Sequence, residues 1–413
     1  MKKLLEIFEL LVMFTVLSSA AYAVEEVSVE ETQQQTGEVL EEIQLEHPRL
    51  HFTHHYREAD GTKKLHISTD ESDKTLAEKI QEIYETEYND TIVINPLLAK
   101  ITTVKFDEGP LDNLHVWAAV QSHGTVDMPE NSDTDTTYGV GLININIDGQ
   151  FRGKKEDFRI MLDPTPQHNR GFMSQLLQDA YIATNRIPHH RILVGNSRPG
   201  VGYEGAQSPY TLPFINRSQI SRTFANVRKA GIRVQGNYSL VDYDFGGYSS
   251  DTYFQDLFPG LEFDGWVNLK PLGKTDGKYG KLITGGGISA GKRYTDYFVS
   301  GAYIRYEYKR FATSFEWAHA DGYNGAAGVS TKKASGFYTT VAYKITPKVQ
   351  ILARYDQFDP DTTVDHNNRR EYTAGLNYFI KGQGMRVILN YVFCQNDNAE
   401  DSHRILLGTQ FLI

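Results

Sequence analysis

From about residue 280 to Ile413 the chain is a succession of roughly ten-residue stretches in which apolar and polar side chains alternate. In the stretch Met385-Arg386-Val387-Ile388-Leu389-Asn390-Tyr391-Val392-Phe393, one face carries Met, Val, Leu, Tyr and Phe while Arg and Asn fall on the other. The last stretch, from His403, runs into the C-terminus without a polar tail. A period of two puts alternate side chains on opposite faces of a sheet. A barrel in a bilayer has to alternate, because lipid wets its outer face and water its inner one. The pattern therefore predicts an all-β, transmembrane antiparallel barrel.

The N-terminus agrees with export. Lys2 and Lys3 precede an apolar run over 10–17 that ends in the small residues Ala21-Tyr22-Ala23, so 1–23 reads as a signal peptide. That run is shorter than the ~20 residues of a spanning helix, and no other segment approaches that length. A membrane location must then be reached with strands. The single cysteine, Cys394, excludes an intramolecular disulfide framework. The net charge of −10 is unevenly spread: residues 24–110 hold 20 acidic and 8 basic side chains, whereas 111–413 hold 30 and 32. The acidity belongs to the N-terminal extension, and the alternating region is slightly basic.

Three regions follow: the signal peptide 1–23, an acidic extension 24–110 expected in the periplasm, and a barrel over 111–413. In the extension, 24–44 is rich in Glu and Gln and expected to be partly disordered or loosely helical, and 24–110 fits either a small periplasmic domain or an extension into the barrel. Residues 74–88 place Leu76, Ile80, Ile83 and Tyr84 on one helical stripe, while 91–95 and 100–106 could be strands. Beyond it about sixteen strands can be laid down, starting near 114, 138, 157, 175, 190, 225, 238, 261, 280, 297, 310, 335, 348, 370, 384 and 402. Short connections (152–156, 186–189, 236–237, 309–310, 346–348, 381–384) alternate with longer polar ones (122–137, 198–224, 246–260, 320–334, 359–369, 395–401). That is the order of periplasmic turns and external loops in outer-membrane barrels. The connection 271–279 is long for its class. The 25 Tyr, 21 Phe and 3 Trp, many near strand ends, suit aromatic girdles.

Residues 198–224 form the longest loop, and its Pro and Gly content suits a compact segment folded into the lumen. It carries Arg198, Arg217 and Arg222. On the next strand Lys229 and Arg233 share the polar face, as do Arg305 and Arg354 on later strands, with Glu307, Glu316 and Asp356 interleaved. Strand parity points these side chains into water and hence into the lumen. These seven cations are the candidate anion-contacting residues, since Arg suits phosphate and carboxylate. The alternative is that charges of both signs pair and hydrate the wall.

Several ordered segments carry a resemblance. They are Asp179-Ala180-Tyr181, the run from Arg191 to Glu204, Leu212-Pro213-Phe214-Ile215-Asn216-Arg217-Ser218, the run from Ala230 to Gly236, and the run from Ile351 to Asp359. Together the region from about 140 to 413 resembles the phosphate-selective porin O and P family. The resemblance implies a sixteen-stranded homotrimeric porin whose third external loop folds inward. Arg198 and Asn196 stand where the family often has Lys and Gln, and the chain ends in Ile413 rather than an aromatic residue. Phosphate selectivity does not follow from the resemblance, because not all members are phosphate channels.

Other chemistry finds little support. His47, His51 and His55 would share a helical face, but Pro48 opposes a helix there and no carboxylate completes a metal site. No Gly-x-Ser-x-Gly, phosphate loop or His-Glu-x-x-His motif occurs, so neither catalytic residues nor a cofactor are expected. His168, His189 and His190 leave an outer-membrane hydrolase as a remote alternative. The expectation is an outer-membrane porin of a Gram-negative-type cell, bounded by lipid and passing small anionic or neutral solutes, with no nucleic-acid partner. A non-conducting structural or adhesive surface barrel is the competing reading.

Overall fold

The computed structural model describes residues 103–412, apart from 154, 166–175, 226–227, 250–259, 276 and 326–331. The signal peptide, the helix expected over 74–88, the strand expected over 91–95 and the histidine stretch lie outside the described residues. The first strands are β1 (Thr103–Lys105), β2 (Leu111–Pro129), β3 (Asp135–Phe151), β4 (Glu156–Leu162), β5 (Leu177–Thr184) and β6 (His190–Ser197). There follow β7 (Lys229–Asn237), β8 (Val241–Ser249), β9 (Leu261–Leu269), β10 (Lys281–Lys292), β11 (Asp296–Tyr308) and β12 (Phe311–Asp321). The last are β13 (Lys333–Thr346), β14 (Val349–Asp359), β15 (Arg369–Lys381), β16 (Met385–Asn396) and β17 (Ser402–Leu412).

Each strand from β2 to β16 pairs antiparallel with its successor, and β17 pairs back onto β2, so sixteen strands close a barrel. Closure removes the unpaired edges that an open sheet would leave in lipid. The short β1 lies on β2 beyond the end of β17: Leu412 pairs with Ala119 and Thr103 with His115. It therefore extends the seam where the C-terminus stops.

Burial follows the alternation. On β7 the side chains of Lys229 and Arg233 are buried and Ile232 is exposed, and on β14 Leu352, Arg354 and Asp356 are buried while Ile351 is exposed. The exposed apolar set, including Ile304, Val341, Leu376 and Leu389, forms the outer face that lipid covers. Near the long-loop ends a row of rings crosses neighbouring strands on this face. Phe315–Phe337, Phe337–Tyr355, Tyr355–Tyr372 and Tyr372–Phe393 have centroids 5.8, 5.8, 5.1 and 5.9 Å apart. This is one of the expected girdles.

The loops depart from expectation in two places. Residues 122–137 are not a long loop, because β2 runs to Pro129 and β3 resumes at Asp135. Thr125 pairs with Thr137 and Val126 with Thr136, and β-branched residues favour such a ladder. The connection 293–295 is short although it lies on the long-loop side.

The candidate pore and its inward loop

The third connection on the long-loop side, 198–228, leaves β6 and returns to β7 after crossing the barrel interior. It contains α1 (Tyr203–Ala206), a 3₁₀ turn (Pro209–Thr211) and α2 (Gln219–Phe224). Local sequence sets these turns. Gly202 at φ +71° turns the chain into α1, and Ser208 and Ser218 accept from the N–H groups of Tyr210 and Ser221. Pro209 occupies the first turn of the 3₁₀ segment, where its missing N–H costs nothing.

The loop is fastened to the wall opposite its own strands. Glu316 on β12 accepts from Tyr203 N at 2.8 Å and Glu204 N at 3.1 Å. Asp356 on β14 accepts from Gln219 N at 2.7 Å, and β14 lies diametrically across the strand order from β6. Asn390 on β16 accepts from Ile215 N at 2.9 Å, and Asn377 on β15 donates to Pro213 O at 2.9 Å. On the remaining arc Tyr210 OH donates to Asn144 Oδ1 at 2.5 Å, while Gln121 donates to Pro209 O at 3.0 Å.

Apolar contacts complete the seat. Ile220 and Phe224 of α2 pack on Val299, Ala318, Ala320, Ala334, Tyr338 and Phe358 of the inner wall. Phe214 packs on Ala342 and Leu352, and Ile215 lies against Val392 and Leu406. A Cβ on Gly336 would come within 2.7 Å of Ile220, so the wall is narrowed there to receive the loop. The inner face is therefore not uniformly polar, and its small and apolar residues mark where the loop sits.

All seven candidate cations lie inside the barrel, and each is engaged. Arg198 donates to Gln207 O at 3.0 Å, and its own carbonyl accepts from Arg233 at 2.8 Å. Arg217 donates to the carbonyls of Glu204 and Gln207. Arg222 forks onto Glu371 at 2.5 and 3.2 Å. Lys229 sits between Glu262 and Asp264 at 2.6 and 2.9 Å, and Arg233 forks onto Asp244. Arg305 pairs with Glu307 and lies 5.1 Å over the Tyr203 ring. Arg354 donates to Asn216 O at 3.1 Å and meets Glu204 at 3.4 Å. Only Arg222 shows more than a third of its side chain, at 39 %, among the candidates with an ion-pair partner.

Alternation along the sequence places Glu316 and Asp356 on the inward face without giving them a role; with Glu204 and Glu371 they hold the loop and its arginines. Two residues that the sequence did not single out are Glu371 and Arg386. Arg386 on β16, 1 % exposed, donates to Gln410 at 3.1 Å. Its parity was legible in the stretch 385–393, but the partner across the ladder was not. Arg305 and Arg386 line one cavity of about 50 Å³ beneath the loop, together with Gln207, Gln350 and Gln383.

A closed sixteen-stranded wall with a long external loop seated inside it defines a porin-type outer-membrane barrel. Residues 267–413 match the family described as phosphate-selective porin O and P, the family the sequence resembles. Among solved structures, Pseudomonas putida OprB is similar at 10 % identity over 73 % of this chain and 94 % of its own, with a TM-score of 0.54. An anion-selective porin from Comamonas acidovorans is similar at 11 % identity over 73 % and 100 %, with a TM-score of 0.53. A loop-deletion variant of OmpT, an outer membrane protein of Vibrio cholerae, gives 12 % identity over 73 % and 99 %, with a TM-score of 0.51. At these identities the likeness is one of fold. No curated protein matches the chain in sequence.

Proposed function

We propose that the protein is a diffusion channel of the outer membrane, passing small hydrophilic solutes through a lumen narrowed by loop 198–228. The observation that carries this reading is the inward set of charged and amide side chains on a closed wall, with the loop seated among them. Transport of this kind needs no chemistry. A solute exchanges bulk water for a hydrated, polar passage, and the narrowest ring and its charges set which solute enters.

A mild preference for anions, phosphate among them, is the finer part of the proposal. Arg305, paired with Glu307, and Arg386, bonded to Gln410, line the cavity beneath the loop; the other six candidate cations are tied to carboxylates or backbone carbonyls. The assembly expected from the family resemblance is a homotrimer, and segment 1–23 is the expected signal for export.

A specific observation favours a second reading, the non-conducting surface barrel: the loop touches strands on most of the ring. Single-channel recording in a planar bilayer separates the two. Stable conductance steps are expected; folded, heat-modifiable protein that gives none would overturn the channel. Arg305→Glu with Arg386→Glu should move the reversal potential toward cation selectivity, and an unchanged potential would remove the proposed anion preference.

A further inference from the structure

The short-turn end of the barrel carries its charge unevenly. In the neighbouring turns that join β9 to β10, β11 to β12, β13 to β14 and β15 to β16, Lys274, Lys278, Lys309, Arg310, Lys348 and Lys381 are exposed. Asp276 is the only acidic residue within 270–280, 309–310, 347–348 and 381–384. The rest of that end is mixed, with Asp107 and Glu108 exposed and Glu156 paired to Arg186. The long-loop end has the opposite balance: among the described residues, exposed acids such as Glu130, Asp133, Asp296, Asp321 and Asp365 outnumber the exposed Lys292, Lys333 and Arg369. The six cations are thus a feature of one half of one rim.

They sit directly beyond rings on the outer face. Cross-strand register places Tyr308 opposite Phe311, Phe311 opposite Tyr343 and Val349 opposite Tyr378. Phe311, Tyr343, Ile345 and Tyr378 are all exposed there. Lys309 holds its ammonium 5.1 Å from the centroid of the Tyr308 ring, and Lys278 does the same over Tyr279 at 5.3 Å. Arg310 donates to Ile345 O at 3.3 Å, on the neighbouring turn. Among the described residues no carboxylate pairs with any of the six. A stem laid on apolar surface with its charged head at the edge is how Lys and Arg reach a membrane interface. The headgroup layer lies there, and clustered cations without acidic partners attract its phosphates. A soluble acidic partner would use the charges and leave the row of rings unexplained. A lipid leaflet uses both, being apolar below and anionic above. We propose that this arc binds the phosphate headgroups of anionic phospholipid in the leaflet at the short-turn end, fastening that half of the perimeter to it.

Lipid selectivity is measured without any appeal to conduction. The folded protein is reconstituted into phosphatidylcholine vesicles at low salt with a trace of spin-labelled phosphatidylglycerol or spin-labelled phosphatidylcholine. Electron spin resonance reads the fraction of each label whose motion the protein restricts. A cation at an anionic surface strengthens association several-fold, so the anionic label should be restricted roughly two- to fivefold more than the neutral one. The excess should collapse at about 1 M salt, where charge is screened within about 3 Å. Lys309→Gln with Lys348→Gln and Lys381→Gln should remove most of it, and adding Lys274→Gln and Lys278→Gln should abolish it. Arg310 is spared in both variants because of its bond to Ile345 O. Lys292→Gln with Lys333→Gln, at the other end, should leave the excess intact. No excess in the wild-type protein, as a protein partner covering the arc would produce, overturns the lipid arc. So does an excess that survives the five-lysine variant or falls equally in the long-loop control. A selective lipid shell around a barrel that gives no conductance would sustain the arc and refute the channel.

Discussion

At the scale of single residues, Gly202 shows how closely the loop is fitted to the wall. Its φ of +71° with ψ near 179° lies in a region open essentially only to glycine, and an added Cβ would run into Glu316 Oε1. Gly202→Ala should therefore weaken docking by roughly 1–3 kcal/mol. The check is proteolysis of the loop, which should speed up while the barrel keeps its resistance to detergent at room temperature. Cys394 is the converse case, a buried thiol packed with Val392 and Leu406 and free of any disulfide. Side-chain parity was legible at this scale, since Lys229, Arg233, Arg305 and Arg354 all face inward as alternation requires. Their partners were not, because Asp244, Glu262 and Asp264 become neighbours only through cross-strand register.

At the scale of elements, the sixteen expected strand starts fall within four residues of the observed ones, from 114 against Leu111 to 402 against Ser402. The largest miss in a start is at β7, expected from 225 and observed from Lys229, and the expected loop 122–137 is instead the continuing ladder of β2 and β3. Some external connections are fixed by electrostatics. Asp397 accepts from Arg370 at 2.8 Å and from Asn368 N at 3.1 Å, and the Arg370 hydrogen bond holds its carboxyl below the usual range. Asp361 is lowered likewise by the hydroxyl and N–H of Thr363 at 2.6 and 3.2 Å. A carboxyl lowered in the folded state stabilises above its unfolded pKa of about 3.9 and stops doing so as pH falls through the folded value. The two turns should thus keep their protease resistance from about pH 8 to about pH 5 and lose it only below about pH 4. In Asp397→Asn, cleavage near 397–401 should already be fast at neutral pH; unchanged resistance would show that the clamp is idle.

For the whole molecule, the outer face has to remain apolar because lipid offers no partner for charge. Leu389 lies mid-strand on that face, exposed and flanked across the ladder by Leu376 and Leu407. Leu389→Arg should cost about 2–4 kcal/mol of folding free energy in a bilayer, as expected at the midplane. The inward Asn390→Ser, one residue on, should leave that free energy nearly unchanged and instead free the Ile215 N–H. Equilibrium unfolding from lipid vesicles compares them, and equal costs would mean that the two faces are assigned wrongly.

The sequence by itself determined the barrel, its strand number, the broad alternation of short and long connections and the face that the alternating side chains take. All of these follow from a period of two and from where turn residues interrupt it, which are local properties of the chain. Only the tertiary structure decided that loop 198–228 crosses to β14, that Glu316 and Asp356 receive its backbone, and that most of the candidate cations are already paired. Those contacts join residues more than a hundred positions apart, such as Tyr203 with Glu316 and Gln219 with Asp356. They depend on closure and register, which bring opposite walls within reach of one loop, and no pattern along the chain encodes that distance.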